Sequence, residues 1–214
     1  MNNKNVNLYK EIYSKKNNYV RNLKPMYRII NSYINFDCKS FLDFGCGEGN
    51  LANLFKKYNN HIIYKYDPAI EKYSNLKENL KVDLIANCDV MEHIPENEID
   101  NILLKISKIS KNVFFNIHLD KAEKILANGE NAHCTIKPKN WWHKKIKKYF
   151  GISNIVWSSY SKSVSIITWK ITLRQKIKVS GYIFLNNIEK CIYHIRFDTN
   201  NNSRFQKIIK LIQG

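Results

Sequence analysis

The chain has 214 residues, of which 44% are hydrophobic and 13% aromatic, and a formal net charge of +17. That length suits one domain of roughly 150 residues plus a small extension, and the apolar content argues against a disordered chain. No apolar run approaches the roughly 20 residues a membrane helix needs. Met1–Asn7 is polar with no apolar segment behind it, which speaks against a secretory signal. Five scattered cysteines without a CxxC pair exclude a ribbon-type zinc site and a disulfide framework, so a reducing, cytoplasmic setting is expected.

Residues 7–34 read as helix, with Leu8, Ile12, Tyr19, Leu23, Tyr27 and Ile30 at helical spacing and Pro25 expected to break it in two. Ser40–Gly45 is a short apolar run ending in glycine, a buried strand. Gly45-Cys-Gly-Glu-Gly49 follows, and Leu51, Leu54, Phe55 and Tyr58 then mark a helix over Asn50–Tyr58. His61–Tyr66 is a second strand ending in Asp67-Pro68, Ile70–Asn79 suits a helix, and Asp83–Cys88 is a third apolar strand. Ile99, Ile102, Leu103, Ile106 and Ile109 predict an amphipathic helix over Asn97–Ser110. Val113–Ile117 is a strand, Asn140–Phe150 a basic aromatic helix, and Ile155–Trp157 with Val164–Trp169 a strand pair. Lys176–Phe197 is compatible with strand or helix, whereas Ser203 and Gln206 form a capping box for a helix over Ser203–Ile212.

This alternation predicts an α/β fold: an open, mostly parallel twisted sheet with helices on both faces and an antiparallel strand pair toward the C-terminal side. Three parts are expected: an N-terminal helical segment (1–37), an α/β domain (38–169) and a basic C-terminal extension (170–214). Ligands of such sheets bind at the carboxyl ends of the strands, which singles out Gly45–Gly49, Asp67, Cys88–His93 and His118. Charge follows the same division. Residues 41–120 carry −3, while 1–40, 121–150 and 170–214 carry +6, +6 and +7. Either the basic flanks face an anionic partner, or they are solvated lysine of a chain biased toward Lys, Asn and Ile.

Glycines after a strand let the backbone turn tightly and approach a ligand, and the next helix offers it free N–H groups. Asp67, 18 residues beyond Gly49, is placed to accept ribose hydroxyls. Together they predict a nucleoside-type cofactor site. Phe41-Leu-Asp-Phe-Gly-Cys-Gly-Glu-Gly-Asn-Leu-Ala52 resembles the first motif of the class I S-adenosylmethionine-dependent methyltransferases, whose fold is Rossmann-like. Asp67 and Cys88-Asp-Val-Met-Glu-His-Ile-Pro95 match later motifs of that superfamily. The resemblance implies that Asp43, Gly45, Cys46 and Gly47 surround the methionine part of the cofactor. Asn50, standing where a nicotinamide enzyme has a third glycine, is counted among the cofactor positions. It further implies that Asp67 binds the ribose, that Pro68 touches the adenine edge, and that Cys88, Asp89 and Val90 line the opposite wall. One departure is clear: only sixteen positions separate Asp67 from Asp83, so the family's third strand is rudimentary or missing.

An oxygen or nitrogen acceptor must lose a proton as it takes a methyl group, and histidine is the natural base. His118, at a strand end, and His133, in the Leu119–Lys139 segment expected to fold over the pocket as a lid, are the catalytic candidates. His93, Trp141 and Trp142 are candidate substrate contacts, with lysines around the tryptophans suited to an anionic acceptor. In relatives a Glu-x-x-Glu-His run holds magnesium. Here Asp89 replaces the first member, leaving Asp89, Glu92 and His93 as a metal set or, more commonly for such a pair, helix caps. The reading is O-methylation of a small or glycan-type anionic acceptor. RNA methylation and a non-catalytic binding protein with a methyltransferase fold are the alternatives.

Overall fold

The computed structural model describes residues 3–14, 23–158 and 162–184, apart from 178 and 182. The chain divides into two compact units, residues 1–170 and 171–214. No helix among the described residues is long and apolar enough to cross a membrane.

The first unit contains five helices among its described residues: α1 (Asn3–Ser14), α2 (Lys24–Tyr33), α3 (Asn50–Asn59), α4 (Glu96–Ile109) and α5 (Lys139–Phe150). Six strands, β1 (Ser40–Phe44), β2 (Ile62–Tyr66), β3 (Leu84–Cys88), β4 (Val113–His118), β5 (Asn154–Val156) and β6 (Ser163–Ile167), form one sheet in the order β2-β1-β3-β4-β6-β5. The first four run parallel, and β6 is antiparallel to β4 and β5. This is the expected Rossmann-like sheet with its third-strand region shortened, since β2 stands at the edge. Strand order reverses between β1 and β3, so their carboxyl ends open a crevice.

Alternation along β1 serves two cores. Leu42 and Phe44 join the apolar cluster with Ile85, Phe115 and the buried faces of α4 and α5, where Ile99, Leu103, Ile106, Trp142 and Ile146 lie. Phe41 instead stacks on Phe55 of α3 with centroids 3.9 Å apart. The region expected as a helix broken at Pro25 holds two helices, α1 and α2, with residues 15–22 outside the described ones, and Pro25 is not inside either helix's middle. Pro25 stands in the first turn of α2, where a missing N–H costs nothing. Met26, Ile29 and Ile30 are fully buried, and the Tyr33 carbonyl accepts the Trp169 indole N–H at 2.9 Å.

The helix expected over Ile70–Asn79 is a single 3-10 turn, Glu71–Tyr73. Ser74 Oγ donates to the Glu71 carbonyl and Asn79 takes a left-handed φ of 53°. Side-chain competition for backbone groups and that conformation both oppose helix propagation. In the second unit, residues 173–177 are helical, and Thr172 and Gln175 form a reciprocal capping box. The helix expected over Ser203–Ile212 lies outside the described residues.

Candidate active site

The glycine loop is shaped by backbone bonds. Gly45 and Cys46 both donate N–H to the Tyr66 carbonyl, at 2.7 and 3.0 Å, which ties the loop to the end of β2. Gly45 has φ +84°, and a Cβ there would lie 2.3 Å from Val90 Cγ2. Only glycine fits that conformation and that approach. Gly47 donates its N–H to Asp67 Oδ2 at 2.9 Å, and Ala69 donates to Oδ1 at 2.9 Å. Burial raises the Asp67 pKa, opposed by these two donors. Asp43 points to the α3 side of the sheet, where Oδ2 accepts the Ala52 N–H at 3.1 Å. Complete burial pushes its carboxyl up to about 7.

Between these strand ends lies a cavity of about 150 Å³. Gly45, Asp67, Pro68, Asp89, Val90 and His93 line it from the sheet. Asp43, Cys46, Asn50 and Cys88 are not among its lining residues. Val6, Tyr9 and Tyr13 of α1 form the facing wall. These three were not anticipated. The signal available was the i, i+4 tyrosine pair, which lies on one helix face.

Beyond His93 the site becomes a cluster of imidazoles. His93 and His133 centroids are 4.8 Å apart, and those of His118 and His133 are 5.4 Å apart. Glu92 is fully buried, and its Oε1 accepts the His118 backbone N–H at 3.0 Å. His118 Nε2 lies 3.8 Å from Asp89 Oδ1. His133 Nδ1 is 2.5 Å from the Asp120 carbonyl, which can only accept, so Nδ1 carries the proton and Nε2 keeps its lone pair. Burial holds His93 down to about 4, so it is neutral at physiological pH. Glu92, His93 and His133 each bring a donor atom within 4.8 Å of the others, a mixed carboxylate–imidazole set suited to a divalent cation. Asp89 is outside that set.

The segment carrying His133 is anchored rather than loose. Thr135 Oγ1 donates to the Ile94 carbonyl at 2.7 Å, its N–H donates to the Glu92 carbonyl at 3.0 Å, and the Asn131 side chain brackets Ala122. The tryptophans lie elsewhere. Trp142 is fully buried in the α4–α5 core, and Trp141 lies under Lys137 and Lys145, at 5.5 and 5.2 Å. Neither lines the cavity. Those two lysines are also matched by acids of α4, Lys137 to Glu96 at 2.8 Å and Lys145 to Asp100 at 3.1 Å.

A family model described as a methyltransferase domain matches residues 19–146. No curated protein matches the sequence. Solved structures with a similar fold include the DhpI-SAH complex, at 9% identity and TM-score 0.53 over 76% of this chain and 94% of that one. Another is the Burkholderia thailandensis 1,6-didemethyltoxoflavin-N1-methyltransferase with bound 1,6-didemethyltoxoflavin and S-adenosylhomocysteine. It has 11% identity and TM-score 0.50 over 68% of this chain and 75% of that one. An O-methyltransferase family protein from the same organism has 11% identity and TM-score 0.49, with 68% of this chain covering 55% of that one. The chain thus spans little more than half the length of that last protein.

Proposed function

The chain belongs to the family of methyltransferase domains, in the class that draws on S-adenosylmethionine, and we propose that it methylates an oxygen of a small or glycan-type acceptor carrying negative charge. The observation that carries this reading is one cavity lined by both Asp67 and His93, with the His133 ring beside His93 and the His118 ring beside His133. S-adenosylhomocysteine bound in the toxoflavin-pathway neighbour supports the choice of cofactor.

Bound S-adenosylmethionine supplies an electrophilic methyl group on a cationic sulfonium. Each Asp67 oxygen already accepts one backbone N–H and keeps a lone pair for a ribose hydroxyl. Pro68 and Ala69 form the surface for the adenine edge, and Gly45 lets the chain approach the methionine part closely. Asp43 acts from behind by fixing the first turn of α3. On the acceptor side, His133 Nε2 is free to take the hydroxyl proton while the acceptor oxygen receives the methyl in line. Asp89 near His118 Nε2 would stabilise the imidazolium if His118 takes that proton instead. Lys121 and Lys124 are exposed on the segment that carries His133, beside the exposed acids Asp120, Glu123 and Glu130, so the support for an anionic acceptor is the net charge of +17.

The Glu92, His93 and His133 donors favour a second reading of the acceptor side, in which they hold a divalent cation and His118 is left as the base. A requirement for the cation, abolished by chelation, separates the two.

The test is calorimetric titration with S-adenosylhomocysteine, wild type beside Asp67→Ala. Binding by the wild type, weakened more than tenfold in the variant, supports the site. A well-folded wild type that does not bind overturns it in favour of a non-catalytic methyltransferase fold. Transfer of labelled methyl to anionic sugars but not to RNA supports the acceptor class. Transfer to RNA, with affinity falling steeply in salt, would replace it.

A further inference from the structure

We propose that α1 is a latched wall of the cofactor cavity, and that Tyr9 is both its latch and a positioning residue for His93. The proposal rests on the cavity being the cofactor site.

Three observations lead there. First, α1 supplies Val6, Tyr9 and Tyr13 to the cavity, yet none of its described side chains is buried. By contrast, α2 buries Met26, Ile29 and Ile30 completely. An element with no fully buried residue among its described side chains opens at a free-energy cost below that of global unfolding.

Second, Tyr9 joins three segments at one point. Its hydroxyl lies 2.7 Å from His93 Nδ1 and 3.4 Å from the Ala132 carbonyl, and that carbonyl lies 2.8 Å from the same Nδ1. A carbonyl oxygen only accepts, so Nδ1 carries the proton. Nδ1–H is then shared between Ala132 and the Tyr9 oxygen, while the Tyr9 O–H donates to Ala132. The triangle closes with every donor used. His93 Nε2 is left with its lone pair, and the ring is fixed against His133. The Tyr9 ring also meets the His93 ring edge-on, with centroids 5.4 Å apart.

Third, the cavity is a small, partly open cleft. Its volume of about 150 Å³ falls below the roughly 300 Å³ at the lower end of ligand pockets. The Tyr13 hydroxyl lies against the glycine loop, 3.2 Å from where a Gly47 Cβ would stand, beside the N–H that holds Asp67. Outward movement of α1 therefore widens the entrance for a nucleoside cofactor. Its return remakes the Tyr9 bonds, so His93, held by the Ala132 carbonyl alone when the wall is open, gains its second partner when the wall is shut. Closure over the cofactor and assembly of the histidine side become one event.

The experiment uses the full chain as wild type, Tyr9→Phe and Tyr13→Phe, with His93→Gln to assign resonances. Two quantities are read: solvent exchange of the His93 imidazole N–H by NMR, and the dissociation rate of S-adenosylhomocysteine by surface plasmon resonance. In Tyr9→Phe we expect His93 N–H exchange and ligand dissociation each to accelerate about tenfold. In Tyr13→Phe we expect His93 exchange to stay within twofold of wild type. The proposal is overturned if either quantity stays within twofold of wild type in Tyr9→Phe. It is equally overturned if Tyr13→Phe exposes the His93 N–H as much, since general loosening of α1 would then explain the effect. Failure of the wild type to bind the ligand overturns the cofactor reading and the coupling to closure, while N–H exchange still decides whether Tyr9 pins His93.

Discussion

On the side of the cavity proposed for the cofactor, Gly45, Gly47, Asp67 and Ala69 belong to two adjacent strand ends and are joined by backbone N–H groups. On the histidine side, Glu92, His93, His118 and His133 come from three separate segments, and side chains join them. The first arrangement follows once β1 and β2 pair in register. The second needs the 119–138 segment, the start of α4 and α1 all in place. A perturbation of the glycine-loop side should therefore act through backbone geometry, and one of the histidine side, the Tyr9 wall apart, through long-range bonds that leave cofactor affinity alone.

Gly45→Ala is the strongest way to break this contrast. With φ at +84° and Val90 Cγ2 2.3 Å from the added carbon, we expect at least a hundredfold loss of S-adenosylhomocysteine affinity by calorimetry, with a lowered melting temperature. Adding Val90→Ala should recover only part of it, because the backbone strain remains; full recovery would mean that the contact alone mattered.

His133→Ala probes the other side. Turnover on the acceptor should fall by about 10²–10⁴-fold, the range for a general base, with cofactor affinity within threefold of wild type. Loss of cofactor binding would erase the distinction between the two sides.

The third prediction concerns pH. His93 is held at about 4 in the fold, against an ordinary 6.5. As pH falls from 6.5 to 4, the unfolded chain takes up a proton that the folded chain refuses, so stability drops, by up to about 3 kcal/mol. His93→Gln should lose less over that window in chelator-containing buffer, as read by urea unfolding. Asp43, raised to about 7, acts with the opposite sign but equally in both proteins, so it cancels from the difference. Parallel pH curves would show that His93 is not buried as neutral imidazole.

The smallest expected effect is Thr135→Val, which removes the hydroxyl bond to Ile94 and should cost about 1 kcal/mol. It should loosen the His133 segment in hydrogen exchange without weakening the cofactor.

The same contrast explains how far the site could be read from the chain. Strand–loop–helix glycines and an acid at the next strand end are local patterns, because the backbone geometry that makes them useful is itself local. The missing third strand was legible as well, since sixteen positions leave no room for it. The turn at Ile70–Asn79 was not, because apolar spacing ignores the competition of Ser74 for the Glu71 carbonyl. Trp141 and Trp142 stood out by composition among lysines, but burial is a property of the α4–α5 packing and composition does not report it.

What the sequence determined by itself is the sheet, its mostly parallel order and the glycine loop at one end of the cavity, for these depend on residues close along the chain and on strand periodicity. Tertiary structure alone decided that Tyr9 and Tyr13 form the facing wall, that His93 rather than His118 reaches the cavity, and that the Trp142 side chain belongs to the core. Tyr9 and His93 are 84 positions apart, and His93 and Ala132 a further 39. No spacing rule links such positions. They meet because a weakly buried helix and a pinned loop close on the same edge of the sheet.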